Sequence, residues 1–372
     1  MAKKKRKPTA RQRRKRKVIL IVVEILVLFL LFAGILVASK FNMMDRVDLN
    51  HDEIQNQELT EETKEVLKGY TDIALFGLDN RNTGNYANGN SDVIMIVSIN
   101  QDTKEMSMVS VYRDTYLDVS AKGQDSKFRK ANSAYAYGGA EQAITMLNNN
   151  LDLDIDEYVS FDFEAVADAI DVLGGIEIEL TSAEVKHMND YIGETNKIVG
   201  GNSRLISGPG KQTLDGVQAV AYTRIRYTAG GDFKRAERQR IVIAAALEKA
   251  KQSDLMTINK LVDTVFPKIE TSMSAMSMLQ MVSAVMDYDL SQSYGFPFER
   301  TTKEHPSKGS LVVPCTLETN VVELHKLLYA DQDYEPSALV KKYSEYIKND
   351  TGIDENDGMD DQFTLDYEEN QE

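Results

Sequence analysis

The sequence contains three short apolar runs that decide its fold: Ile73-Ala-Leu-Phe-Gly-Leu78, Val93-Ile-Met-Ile-Val-Ser-Ile99 and Met106-Ser-Met-Val-Ser-Val-Tyr112. Each run has the length and composition of a buried β-strand. The residues between the second and third runs, 100–104, are polar and typical of a hairpin turn. We therefore predict that the three runs form an antiparallel up-down-up meander.

Helical and strand patterns alternate along the rest of the chain. The polar, glycine-rich residues 187–213 are expected to form a long surface loop. Strands that alternate with helices indicate a mixed α/β (α+β) fold, in which helices sandwich a central mixed β-sheet. Helices are predicted over 139–150, 162–173, 233–251, 254–265, 273–287, 320–329 and 337–347, and further strands over 176–180, 219–227 and 311–313.

The N-terminus has the pattern of a membrane anchor. Eleven of the first seventeen residues are Lys or Arg, and the apolar run from Val18 to Val37 follows with Glu24 as its one charge. About twenty such residues span a bilayer core as a helix, and the basic flank stays in the cytoplasm. We predict one transmembrane helix over 18–39, with the rest of the protein outside the cell. A cleavable signal peptide is the alternative, but Ala38-Ser39-Lys40 is a poor cleavage site.

Composition divides the chain into five parts. A basic cytoplasmic tail (1–17) and the transmembrane helix (18–39) are followed by a polar stalk (40–68) and a folded domain (69–349). The last segment, 350–372, holds ten acids and no base, so it is expected to be disordered.

Charge and cysteine content exclude several classes of function. The chain has a net charge of −15, and because the basic tail carries +11 and the span −1, the outer part carries −25. An acidic surface disfavours nucleic acid, and attraction to anionic lipid explains the basic tail. Cys315 is the only cysteine, so we expect neither a disulfide framework nor a zinc cluster.

Acidic and basic residues flank the three predicted strands. Asp79 follows the first strand, Asp92 precedes the second, and Arg113 follows the third. In an up-down-up meander these three positions lie at one edge of the sheet, with Arg81 beside them. Paired carboxylates there would suit Mg²⁺, which prefers oxygen ligands and bridges to phosphate. The alternative is that both aspartates are ordinary turn residues.

A basic segment stands out in the acidic domain. Arg224 and Arg226 lie two residues apart on a predicted strand and would share one face. A helix predicted to be capped by Asp232 follows, and its first turns carry Arg235, Arg238 and Gln239 on one side. Guanidinium groups near a helix N-terminus suit phosphate oxygens. A solvated helix face is the alternative.

Eight segments of the sequence carry a resemblance to a known family. They are Leu75-Phe-Gly-Leu-Asp-Asn-Arg81, Ser91-Asp-Val-Ile-Met95, Val109-Ser-Val-Tyr-Arg-Asp-Thr115, Lys130-Ala-Asn-Ser-Ala-Tyr135, Val172-Leu-Gly-Gly175, Leu214-Asp-Gly216, Arg224-Ile-Arg226 and Asp232-Phe-Lys-Arg-Ala-Glu-Arg-Gln239. In this order the segments, which cover roughly residues 70–250, resemble the LytR-CpsA-Psr family of bacterial cell-wall proteins. The predicted single-span topology is similar to that of the family as well, and the resemblance implies a Gram-positive type of cell membrane.

The resemblance implies a catalytic domain over 69–349 and a phosphotransferase activity. Such an enzyme moves a teichoic acid, capsule or similar glycopolymer from an undecaprenyl-pyrophosphate carrier to peptidoglycan. By the same resemblance, Asp79 and Asp92 would hold Mg²⁺ (or Mn²⁺). One departure is Asn90, where relatives commonly have Arg. The implied pyrophosphate-binding residues are Arg81, Arg113, Arg224, Arg226, Arg235, Arg238 and Gln239, and the implied catalytic residues are Arg113, Arg224, Arg226 and Asp232.

Two other functions remain open from the sequence. A lipid-pyrophosphate phosphatase would use the same site with water as the acceptor. A membrane-bound transcriptional attenuator would need a folded DNA-binding element in the cytoplasm, and seventeen residues are too few for one.

Overall fold

The computed structural model describes residues 43–78, 86, 89–228 and 230–358. The predicted transmembrane segment lies outside these ranges, and no helix within them is long and apolar enough to cross a membrane. The strands are β1 Asp45–Arg46, β2 Tyr70–Leu78, β3 Ser91–Asn100, β4 Glu105–Val111, β5 Tyr116–Asp118, β6 Phe128–Lys130, β7 Glu157–Asp162, β8 Ile176–Leu180, β9 Gly210–Leu214, β10 Ile269–Thr271, β11 Asp289–Phe296, β12 Arg300–His305 and β13 Gly309–Pro314.

Helices precede, follow and separate these strands. They are α1 His51–Ile54, α2 Glu61–Leu67, α3 Ser133–Leu151, α4 Phe163–Val172, α5 Ser182–Val199, α6 Gly216–Thr223, α7 Gly231–Lys251, α8 Leu255–Val265, α9 Ala275–Ser283, α10 Leu317–Tyr329 and α11 Ala338–Thr351. A short 3₁₀ helix, Phe266–Lys268, joins α8 to β10.

Seven strands form the central sheet in the order β1-β10-β7-β2-β3-β4-β11. The β2-β3-β4 part is the predicted antiparallel meander, with Leu75 opposite Met95 and Met95 opposite Ser110. Parallel pairs join β7 to β2 and β11 to β4, so the sheet is mixed. The predicted mixed α/β architecture is confirmed.

Alternating side chains place a core on each face of the sheet. On β2, Phe76 and Leu78 pack into a cluster with α3, α10 and α11. Ile73 on the same strand points to the opposite face and packs with residues of α9 and the 3₁₀ helix. Period-two alternation in a strand buried on both sides produces this sandwich. A smaller core lies between α4, α5, α6 and the β8-β9 hairpin.

Two predicted elements around residue 200 are wrong. The expected loop over 187–213 contains most of α5 and all of β9. The expected strand over 219–227 begins within α6, where Asp215 and Gln218 form a reciprocal capping box. Because α6 has eight residues and is buried nearly all round, its apolar run has no helical period that would distinguish it from a strand.

The two ends of the folded domain also differ from expectation. Residues 45–67 of the expected stalk belong to the domain, because β1 pairs with β10 and Ile54 and Leu67 are buried in the main core. At the other end α11 continues to Thr351, and the carboxylate of Asp350 accepts hydrogen bonds from Tyr116 (2.6 Å) and Lys308 (2.6 Å). The expected disordered tail therefore does not begin at residue 350.

Candidate active site

The meander brings an acid and a base together at one edge of the sheet. Leu78 at the end of β2 pairs with Ser91 at the start of β3, and Arg113 follows β4 by two residues. The Nη1 atom of Arg113 donates to Oδ1 of Asp92 over 2.8 Å. The predicted convergence of Asp92 and Arg113 is confirmed. Asp79 and Arg81 lie outside the described residues.

Three guanidinium groups surround two carboxylates at this edge. Asp92 also faces Arg226, with 3.6 Å between Oδ2 and Nη2. Asp232 lies between the other two arginines, 3.1 Å from Nη2 of Arg113 and 3.5 Å from Nη1 of Arg235. We call these five residues the arginine cluster. Asp232 was predicted to cap α7, but Gly230 occupies the N-cap, so the Asp232 side chain is available to the two arginines.

The arginine cluster keeps an excess of positive charge in a partly desolvated place. Burial alone would lower the pKa of Arg113, but the hydrogen bond to Asp92 and the nearby carboxylates outweigh it and raise that pKa. The pKa of Arg235 is lowered, first by burial and then by the adjacent Arg113. Nε of Arg113 and Nε of Arg235 are buried without a hydrogen-bond partner within the described residues. Buried donors of this kind favour an anionic ligand.

An apolar cleft opens beside the arginine cluster. It has an open volume of about 600 Å³ and lies between the sheet and helices α4, α6 and α7. Arg235, Asp92 and Gln239 stand at its polar end. The apolar lining consists of Leu78, Val93, Phe161, Phe163, Val166, Val220, Val242 and Ile243. Helices α4 and α7 line the cleft, whereas α3 packs on the opposite face of the sheet.

A second cleft shares three residues with the first. Asp92, Arg235 and Gln239 line both, while Arg113, Asp232 and other residues complete the second, which has an open volume of about 350 Å³. The arginine cluster therefore lies between an apolar cleft and a smaller cleft lined by both charged and apolar side chains. This arrangement can hold a ligand that has an anionic group joined to an apolar chain.

Arg224 and Arg238 are not part of this cluster. Arg224 follows the last residue of α6 and donates to Glu194 and Thr195 of α5, both at 3.1 Å. Arg238 is buried, and its Nε donates to Glu184 over 2.9 Å while Nη2 donates to Thr228 over 2.8 Å. The predicted strand face that would have aligned Arg224 with Arg226 is absent, because α6 ends at Thr223 and residues 224–228 form no strand.

The described residues provide only part of a metal site. No group of three or more His, Cys, Asp or Glu side chains comes together in the ranges that the structure describes. Asp92 supplies one carboxylate, and both of its oxygens face arginines. A single carboxylate held in this way fits Mg²⁺ only together with further oxygen ligands such as Asp79.

The sequence profile of the LytR_cpsA_psr family matches residues 37–294. The chain belongs to the LytR-CpsA-Psr family. It is 29% identical over 226 residues to the polyisoprenyl-teichoic acid–peptidoglycan teichoic acid transferase TagU of Enterococcus faecalis, covering 60% of this chain and 68% of that protein. TagU of Bacillus subtilis is 30% identical over 240 residues, which are 64% of this chain and 68% of that protein.

Solved structures in the LytR-CpsA-Psr family share the fold. TagT bound to LIIa-WTA superposes with a TM-score of 0.55 at 22% identity, covering 83% of this chain and 100% of that one. TagT with bound octaprenyl pyrophosphate lipid gives a TM-score of 0.51 at 21% identity, covering 83% and 100%.

Lys130, a basic residue in one of the eight LytR-CpsA-Psr segments, was not among the predicted site residues. Lys130 ends β6, and its Nζ lies 3.3 Å from Asp114, whose carboxylate lies 3.9 Å from Nε of Arg113. Lys130 thus extends the positive charge of the arginine cluster toward β6. The sequence signal was present, since Lys130 begins one of the eight segments, but the pairing of β6 with β5 that brings Lys130 close to Asp114 was not predicted.

Proposed function

We propose that this protein is a membrane-anchored phosphotransferase. It transfers an anionic glycopolymer, such as a teichoic acid or capsular polymer, from an undecaprenyl-pyrophosphate carrier to a hydroxyl group of peptidoglycan. The basic tail lies in the cytoplasm, the helix over 18–39 crosses the membrane, and the catalytic domain lies outside. Membership of the LytR-CpsA-Psr family and the names of the teichoic acid transferases in it support this proposal.

The single observation that carries the proposal is the position of the arginine cluster at the polar end of an apolar cleft. A polyprenyl pyrophosphate has an apolar chain joined to a strongly anionic head. The cleft beside Val242 and Ile243 matches the chain, and Arg113, Arg226 and Arg235 match the head. Guanidinium groups bind phosphate oxygens through paired hydrogen bonds.

The reaction requires positioning and neutralisation of charge. The acceptor hydroxyl attacks the phosphorus that carries the glycopolymer, and the bond from that phosphorus to the bridging oxygen breaks. Polyprenyl phosphate leaves, a phosphodiester forms, and the hydroxyl proton passes to water. Asp232 orients Arg113 and Arg235, which stabilise the charge that spreads over the phosphate oxygens. Arg226 acts from the other side of Asp92.

Mg²⁺ (or Mn²⁺) is the metal that this chemistry calls for. Asp92 would hold it together with Asp79, and when bound it would add positive charge at the pyrophosphate. Arg113 and Arg226 orient the Asp92 carboxylate.

Reconstitution of the full chain in nanodiscs tests the proposal. The assay supplies a polyprenyl-pyrophosphate-linked oligosaccharide and a peptidoglycan oligomer, and mass spectrometry identifies the products. The expected product is the oligosaccharide joined to the acceptor through a phosphodiester, with polyprenyl phosphate released. Release of polyprenyl phosphate without any joined product would instead establish a lipid-pyrophosphate phosphatase. No turnover of the lipid with or without acceptor would contradict both activities.

A further inference from the structure

Exposed apolar side chains are concentrated in one region of the molecule. Eleven large apolar residues are exposed within the described ranges, and seven of them fall within 43–47 and 255–286. Met276 and Leu279 of α9 are 63% and 40% exposed, and Met43 and Val47 beside β1 are each 40% exposed. We call these four residues the apolar rim. A cluster of this kind on a domain surface marks an interaction site more often than a chance arrangement.

The part of the rim on α9 is also free of charge, whereas exposed Asp45, Arg46 and Asp48 are chain neighbours of Met43 and Val47. Residues 271–286 contain no Asp, Glu, Lys or Arg, although 27% of the whole chain is charged. Met276 and Leu279 are three residues apart on α9 and share one face of the helix. A helix face turned to water normally carries charged side chains, because they keep it solvated. An uncharged face with methionine and leucine instead suits a surface that adapts to apolar chains.

The rim adjoins the point at which the chain would leave the membrane. Arg46 on β1 pairs with Thr271 on β10, and Met44 packs in the same core cluster as Met278 of α9. Only residues 38–42 separate the apolar run from Met43. Five residues span at most about 18 Å even when fully extended. If the apolar run from Val18 to Val37 is anchored in the bilayer, the start of β1 and the adjacent helix α9 must therefore stay close to the bilayer surface.

The apolar interior continues from the cleft to the underside of the same helices. Ile243 lines the cleft and packs in one cluster with Met278 of α9 and Val262 of α8. Leu255 and Met256, at the start of α8, are 84% and 81% exposed. Apolar side chains therefore extend from the apolar lining of the cleft, beneath α8 and α9, to the exposed faces of these two helices.

We propose that α8 and α9 rest on the outer surface of the bilayer, with Met276 and Leu279 inserted at the boundary between head groups and acyl chains. The inference rests on the membrane anchor of the proposed function. The contact keeps the cleft next to the lipid phase, from which a polyprenyl-linked substrate enters it. Because residues 271–286 carry no charge, the contact of α9 depends on apolar area and not on anionic lipid. We therefore expect it to persist in neutral bilayers and at high salt.

Site-specific fluorescence in nanodiscs tests this contact. The full chain with Cys315→Ala and Met276→Cys is labelled with an environment-sensitive dye, and lipids with nitroxide-bearing chains serve as quenchers. Leu205→Cys in the same background is the matched control, because Leu205 is also 63% exposed but lies between α5 and β9. We expect blue-shifted emission and quenching at position 276 and neither at 205. Equal quenching at both positions would overturn the proposal. Blue-shifted emission without quenching would overturn it too, because a second copy of the chain would then cover the rim.

A second experiment separates this inference from the proposed function. The double variant Met276→Asp and Leu279→Asp should turn over a long-chain lipid substrate in nanodiscs severalfold more slowly than wild type. With a short-chain, water-soluble pyrophosphate substrate the two proteins should be equal, and Leu205→Asp should match wild type with both substrates. Equal rates with the long-chain substrate would contradict the inference. If the wild type turns over neither substrate the proposed function fails, while the fluorescence experiment still decides the membrane contact.

Discussion

The guanidinium of Arg113 donates to the carboxylate of Asp92 over 2.8 Å and so joins the residue that follows β4 to the start of β3. Both side chains are largely shielded from water, with about a fifth of each exposed. The same guanidinium reaches Asp232 on α7 through its other terminal nitrogen, 3.1 Å away. Arg113 therefore links the sheet edge to the helix that carries Arg235, and its loss would disturb both the charge and the geometry of the cluster.

Replacement of Arg113 should reduce turnover with little change in fold. A charge-assisted contact to a partly buried phosphate contributes about 1.5–3 kcal/mol, so Arg113→Ala should cost about tenfold to a hundredfold in kcat/KM. Arg113→Lys should recover only part of this, because an ammonium group cannot bind Asp92 and Asp232 together as the planar fork does. Arg204→Ala, at an exposed position, is the control and should equal wild type. Wild-type turnover by Arg113→Ala would remove this residue from the site.

Removal of Mg²⁺ and replacement of its predicted ligand Asp92 should reduce turnover to a similar extent. Asp92→Asn keeps the size of the side chain but removes its charge, so turnover should fall by about a hundredfold or more. A chelator should inhibit the wild type to a similar extent, and added Mg²⁺ should restore the wild type but not the variant. The measurement is lipid turnover in nanodiscs with and without chelator. Full activity of the chelated wild type would contradict a metal-dependent reaction.

The strands of the meander could be predicted because each is long, apolar and followed by a clear turn. The same criteria failed for α6, where Ala219, Val220 and Tyr222 are all buried and leave no period to read. The criteria of length and apolar composition do not predict β7 either, because its alternating burial depends on its position between β2 and β10. Residues 45–67 appeared too polar to contribute to a core, yet Ile54, Leu59 and Leu67 are buried in the main core of the domain.

The residues of the candidate site were predictable where strand order alone determines proximity, as for Asp92 and Arg113. The position of Arg238 was not, because its partner Glu184 lies 54 residues away in a segment expected to be a loop. Lys130 likewise reaches Asp114, and Asp232 reaches Arg113, through tertiary packing that no local pattern encodes. The types of residue in the site could be predicted from the sequence, whereas the structure was needed to distinguish the members of the arginine cluster from residues such as Arg238 that support it.

Arg238 should act as a positioning residue for the segment that carries Arg226. It donates to the carbonyl of Ile225 (3.4 Å) and to Thr228, and so holds the chain on both sides of Arg226. Arg238→Gln should lower turnover about tenfold, the range of one lost charge-assisted contact. The double variant with Arg226→Ala should be no slower than Arg226→Ala alone, since the two act through one group. Additive effects on kcat/KM would show that Arg238 acts independently of Arg226.

Asp72 should make the folded state less stable as pH rises through the weakly acidic range. Burial raises the pKa of this β2 carboxyl from 3.8 to about 6, and the hydrogen bond from Tyr329 (2.7 Å) offsets only part of that effect. Below pH 3.8 the Asp72 carboxyl is protonated in both the folded and the unfolded state. Between pH 3.8 and about 6 only the folded state holds the proton. Above pH 6 the folded state bears the full free-energy cost of the ionised, buried carboxylate. Asp72→Asn avoids this cost. The unfolding free energy of the variant relative to wild type should therefore rise by up to about 3 kcal/mol between pH 4 and 7. A difference that does not vary with pH, measured by urea titration in detergent, would contradict the raised pKa.

Gly216 should tolerate no side chain, because α6 begins against the backbone of α4. A Cβ atom at this position would lie 2.1 Å from the carbonyl oxygen of Ala167, and backbone atoms cannot move aside cheaply. Gly216→Ala should therefore destabilise the fold by about 3 kcal/mol.

Gly193 in the interior of α5 is the matched control, since its Cβ would meet nothing within 4 Å. Gly193→Ala should stabilise the protein by about 0.5–1 kcal/mol, the usual gain from replacing a helical glycine. Urea unfolding of both variants, followed by circular dichroism, measures the two changes. Opposite signs are expected, and similar midpoints for the two variants would show that α4 and α6 do not approach each other as closely as the structure has them.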